Sequence, residues 1–139
     1  MGKLTTEFIN EIANHYVIIS ALLAGFSITF IANIIVTKTK KNIDKALLIV
    51  STITASSFLI SVFALTKILT ITSINYPLEI NSETLQFLYR ASEWAFGLGM
   101  ISISVLISLS GWTKSKTIGI TTTIIGLLIF IGAQYLSRV

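Results

Sequence analysis

Cysteine is absent from the chain, while proline and histidine each occur once, as Pro77 and His15. Without a thiol there is no disulfide, no thiolate zinc site and no thiol catalysis, and nothing follows about redox compartment. Charge is scarce: Asp and Glu number 6 and Lys and Arg 10, together 12% of 139 residues. No paired carboxylates, serine–histidine arrangement or metal-binding cluster lies in the apolar stretches, so an enzyme is not expected and no cofactor is implied. The centres of those stretches also lack Asp, Glu, His, Lys and Arg. A small multidrug or proton-coupled transporter needs an ionisable group at that depth, which makes such a protein the weaker alternative. No basic patch interleaved with aromatics argues for a nucleic-acid partner.

Apolar residues fill the gap. They make up 53% of the chain, and the mean hydropathy is +0.86. That places the chain among all-α membrane proteins. Four spans are predicted, at about 16–37, 46–69, 94–112 and 117–136, forming a single domain at 1–139. The first hydrophobic run is too long for a signal-peptide core and no A-x-A site follows it, so it is expected to stay in the mature protein.

A continuous helix is predicted from about Thr6 to Val36, its first turns outside the bilayer. Thr5 or Thr6 can cap it, and Phe8, Ile12 and Tyr16 recur at four-residue spacing. Lys38 to Lys45 reads as a tight charged turn. The second span is rich in Ser and Thr, whose hydroxyls bond back to their own helix at little cost in lipid. Lys67, near its end, can snorkel to the interface. Residues 70–92 read as the one long connection, punctuated by Tyr76-Pro77, with Ser82 capping a short helix that carries Leu85, Phe87, Leu88 and Tyr89. Trp94 and Trp112 bracket the third span where an aromatic belt would lie. Gly97, Gly99, Ser102, Ser104, Ser108 and Gly111 give that span small surfaces, and Gly119, Gly126 and Gly132 fall in the fourth.

One helix face stands apart. At roughly 100° per residue, Ile18, Leu22, Gly25, Phe26, Thr29 and Asn33 share a sector of the first span, and Glu7, Glu11 and His15 continue it backwards. Ser20 and Ser27 lie on the far side, where small residues allow close packing. A pore or a polar helix–helix seam would use every residue type on this stripe. The bland alternative has Asn33 interfacial, Thr29 bonded to its own backbone, and Glu7 and Glu11 solvated. A lone histidine such as His15 is more often solvated than a ligand, though its place on the stripe permits pH sensing. A non-conducting membrane subunit or a pore-forming membrane effector is the alternative function.

The residues Ser20-Ala21-Leu22-Leu23-Ala24-Gly25-Phe26 resemble the opening of the pore-lining first helix of the Orai family of calcium channels. Leu47-Leu48-Ile49 and Phe63-Ala64-Leu65 are similar to two apolar landmarks of that family's second helix, one residue closer together. Trp94-Ala95-Phe96, Gly99, Trp112 and Lys114 resemble a series in its third, after a two-residue deletion. The likeness covers roughly residues 18–114. It implies a homo-oligomer, a hexamer, of four-span subunits whose first helices line a central pore for inorganic cations in the cell membrane. It puts Asn33 at the selectivity filter, where the family has a glutamate, Thr29 and Phe26 at the gate, Gly25 at a hinge, and Leu22 and Ile18 further along. Basic residues of the family's cytoplasmic pore end are replaced by Asn10, Asn14 and Ile18. No counterpart of the long C-terminal helix that binds the family's activator is expected, nor gating through that partner.

With copies about an axis, Asn33 would present a ring of amide oxygens at one mouth, which select poorly for divalent ions. Glu7 and Glu11 would form rings at the other, where carboxylates concentrate cations, calcium included. Between them Ile18, Leu22 and Phe26 make a constriction able to close by dewetting, with Leu22, Phe26 and Thr29 the gate candidates. Orientation divides the evidence. The lysines of the connections between spans 1 and 2 and spans 3 and 4 favour both termini outside, whereas the resemblance implies both inside.

Overall fold

The structure, a computed structural model, describes residues 6–36, 42–73 and 82–136. Four helices account for almost all of them: α1 (Thr6–Val36), α2 (Asn42–Ile71), α3 (Ser82–Trp112) and α4 (Lys116–Leu136). α1, α2 and α3 are each long and apolar enough to cross a membrane, which marks an integral membrane protein. The described apolar part of α4, Lys116–Gly132, is shorter.

Substantial packing joins only consecutive helices, α1 to α2, α2 to α3 and α3 to α4. Asn10 meets Thr72 and Ser20 meets Ser61, so α1 and α2 run antiparallel. Phe58 against Phe96, and Ser108 against Thr122, carry that alternation through α3 and α4. The protomer is therefore an up-down row with α1 at one end and α4 at the other. One end of the row carries Lys45, Lys114 and Lys116 with Asp44, and the opposite end carries Glu11, Glu83 and Glu93 with Lys67 and Arg90.

The α1–α2 seam is built from small residues. Ala13, Ser20, Ala24 and Ser27 are buried on one face of α1, with Ser20 at 0% and Ser27 at 2% exposure. Ser20 shares a 3.3 Å hydroxyl contact with buried Ser61, and Ser27 donates to the Leu23 carbonyl at 2.8 Å. On α2, Ser51 and Thr52 donate to the Leu48 carbonyl and Thr54 to that of Val50. Among the described residues no buried side-chain polar atom lacks a hydrogen-bond partner, as a low-dielectric surrounding demands. The seam depends on size more than on the hydroxyl pair. Ser61→Ala should cost about 0.6 kcal/mol, the scale of an interhelical hydrogen bond in a membrane, whereas Ser20→Leu should cost about 1–3 kcal/mol by overpacking. Unfolding in detergent micelles would rank the two, and equal losses would contradict the ranking.

Two stretches predicted as connection are helix. Asn42 to Lys45 form the first turn of α2, where Asp44 suits the positive end of the helix dipole. The short helix expected at Ser82 runs on without a break into the third span, making one helix of 31 residues. Its outer turns have something to pack on: Leu85 and Leu88 lie against a core of Ala13, Leu65 and Ile68, with Ile9, Val17 and Leu69 around it. At ~1.5 Å per residue α1, α2 and α3 are each about 45 Å long, against a hydrocarbon thickness of ~30 Å. The excess gathers at the acidic end as a three-helix collar with its own apolar centre. Trp94 and Trp112 stand about 27 Å apart along α3, and Trp94 is 81% exposed. The collar thus begins at the level of Trp94.

α3 and α4 meet through glycines. A side-chain carbon on Gly111 would strike the Thr122 hydroxyl and, at 2.8 Å, the Ile118 carbonyl. On Gly119 it would lie 2.6 Å from the Trp112 ring. Trp112 lies over Gly119 and donates from Nε1 to Thr123 at 3.2 Å. Ser115 caps α4, its hydroxyl accepting from the Ile118 amide at 3.2 Å.

Candidate pore-lining face

The stripe read from the first span lies opposite the small-residue seam. α2 covers Ala13, Ser20, Ala24 and Ser27, and Glu11, His15, Ile18, Leu22, Gly25, Phe26, Thr29 and Asn33 are all exposed on the protomer. Ile18 is 52%, Leu22 58% and Phe26 69% exposed. Glu7 lies in the first turn of α1, and its side chain is outside the described residues. Side chains three and four residues apart share a face, so one continuous surface about two thirds the length of the helix is uncovered.

Three positions have individual chemistry. Thr29 donates its hydroxyl to the Gly25 carbonyl at 2.9 Å, so its oxygen lone pairs remain directed outward while its proton is used. Asn33 is exposed near the far end of α1, one turn before Val36. At Gly25 a side-chain carbon would meet nothing within 4 Å. A glycine inside a helix costs roughly 1 kcal/mol relative to alanine. Nothing within the protomer requires that cost, in contrast to Gly99, whose missing side chain makes room for the Phe58 ring at 2.8 Å. Phe26 lies at the edge of the stripe, bordering a shallow apolar groove with Ile103 and Ile107 of α3.

The carboxylates do not converge within one chain. Among the described residues no group of three or more His, Asp or Glu gathers where an ion could be held. Any ring of Glu11 or Asn33 side chains has to come from several copies.

A second juxtaposition was not foreseen from the sequence. Tyr16 of α1 and Phe96 of α3 meet edge to face at 5.0 Å, and Phe96 meets Phe58 at 5.8 Å. They bound a cleft that also takes in Tyr89, Glu93 and Gly97. The signal available was the recurrence of Tyr89, Glu93, Phe96 and Gly97 at helical spacing, and it is legible only once residues 82–93 are known to be helix.

No protein-family model, curated protein or solved structure matches the chain.

Proposed function

We propose that the chain is the subunit of a homo-oligomeric, cation-conducting channel in the cell membrane, with all four helices spanning the bilayer and α1 lining a central pore. The observation that carries this reading is the division of α1 into two faces. The small face is closed against α2, and the opposite one, bearing Ile18, Leu22, Gly25 and Thr29, is exposed on the protomer. A position at the end of the helix row lets copies of α1 approach a common axis, with α4 outermost.

Ile18, Leu22 and Phe26 supply an apolar constriction that closes by dewetting, and Asn33 supplies neutral dipoles that replace part of an ion's hydration shell. Glu11 draws cations to the acidic mouth. The likeness of residues 20–26 to the first helix of the Orai channels supports the same arrangement and a hexamer.

Purified protein in liposomes should pass cations above the rate of empty vesicles. Glu11→Gln should lower the rate several-fold at low salt and much less at high salt, because screening removes the attraction. Asn33→Ala should change the ratio of sodium to potassium flux. Wild-type flux equal to that of empty vesicles would favour a non-conducting subunit. Flux that is present but indifferent to both substitutions would place the conduction path elsewhere.

A further inference from the structure

A cleft of about 460 Å³ lies between α1 and α3, floored by α2, and runs from the collar past the level of Trp94 to Gly97 and Met100. That volume lies in the range of small-molecule sites. Its floor is Leu65, Ile68 and Ser61, all buried. Its walls are aromatic: Phe8 and Tyr16 on α1, Tyr89 and Phe96 on α3. One ionisable acid, Glu93, lines it, and none of the described lining residues is basic. Tyr89 lies one turn before Glu93, and burial, with the Glu93 carboxylate close by, pushes its phenol above the ordinary value. Glu93 thus lines the cleft together with the Tyr89, Tyr16 and Phe96 rings. Gly97, also lining the cleft, has nothing within 4 Å of where its side chain would be. Unlike Gly99 it serves no packing contact, and its effect is to keep the cleft wide.

A carboxylate beside aromatic faces above an apolar floor is the chemistry that holds a cation with an apolar body. The acid supplies charge, the ring faces supply cation–π attraction, and the floor takes the hydrocarbon. Glu93 adjoins Trp94, so the cleft opens at the membrane interface, where such molecules concentrate. We infer that this cleft binds a lipophilic organic cation of the quaternary ammonium or phosphonium type. The inference is independent of the pore reading, since no stripe residue lines the cleft. Glu93 at the interface serves binding and does not provide the mid-membrane proton exchange of a transporter. The same onium chemistry comes from a dissolved cation or from the choline headgroup of a lipid.

The full chain in maltoside micelles, titrated with tetraphenylphosphonium by equilibrium dialysis, should bind one equivalent saturably. Glu93→Gln should weaken binding at least about tenfold, and Tyr16→Leu by several-fold. Gly97→Leu should abolish binding by filling the cleft while leaving the helical circular dichroism and thermal midpoint close to wild type. Added phosphatidylcholine that displaces the probe identifies the lipid headgroup as the occupant, and phosphatidylcholine without effect identifies the dissolved cation. Absence of saturable binding, or equal affinity in wild type, Glu93→Gln and Gly97→Leu, overturns the assignment.

Discussion

Asn33→Glu is expected to raise the calcium-to-sodium flux ratio of reconstituted protein by about tenfold or more, the lower range of what a charged cleft does to local cation concentration. Asn33 is exposed on the stripe, near the end of α1 remote from Glu11. An amide offers a dipole, which competes weakly for a strongly hydrated divalent ion, whereas carboxylate oxygens are the preferred ligands of a hard cation. A ring of copies multiplies the effect, because each added carboxylate lowers the cost of shedding water for an ion of charge two more than for one of charge one. Calcium should also begin to block sodium flux at low concentration, as it should not with the proposed amide ring. Parallel flux assays with calcium and sodium in the same vesicles measure both. An unchanged ratio would show that position 33 does not face the permeating ion.

The second large effect concerns the bundle itself. Gly126→Leu is expected to strip α4 from α3 and to lower the unfolding free energy in micelles by about 3 kcal/mol or more, at the upper end of overpacking costs. A side-chain carbon at this position would strike the Ser108 hydroxyl and come within 2.7 Å of the Ser104 carbonyl. Ser108 can rotate, but the carbonyl belongs to the helix backbone and cannot. The helices would have to separate, exposing Ser104 and Gly111, which are buried in the wild-type packing. Gly132→Ala is the matched comparison. Nothing lies within 4 Å of its added carbon, so it should be neutral or gain up to about 1 kcal/mol from helix propensity. Thermal unfolding of the two variants side by side decides the matter, and similar midpoints would mean that α4 is not held by this contact.

The parts of the fold that follow from local chemistry were readable in advance. Periodicity and the lack of charge from Tyr16 onward mark α1, and its bounds at Thr6 and Val36 agree with the predicted helix. Ser20 and Ser27 were separable from the stripe because size alone sorts them, and both are buried against α2. The run from Glu83 to Glu93 was not readable as part of α3. Its polar composition matches a connection, and what makes it helix is the packing of Leu85 and Leu88 on Leu65 and Ile68, a relation between segments far apart in the chain. Gly97 and Gly99 look alike in the sequence, yet one admits the Phe58 ring and the other opens into a cleft. Tyr16 and Phe96 had separate readings and Glu93 had none, and only their meeting across two helices gives them common chemistry. The stripe on α1 shows the same boundary from the other side. Its residues could be grouped by angle, but what covers them is not written in one chain.

The neighbour-only order of the helices bears on how the protein is made. Each segment docks on the one synthesised just before it, so contacts are short in sequence and the hairpins can form one after another as they enter the bilayer. The first segment packs mainly on α2, and α3 meets it over its first turns and at Tyr16 and Phe26. On the oligomeric reading proposed above, its other flank would be covered by a sister chain, and a lone newly inserted polypeptide would hold that edge against lipid until the sister arrived. Maturation of such a protein is then governed by encounter in the plane of the membrane, and its yield should rise more steeply than in proportion to expression level.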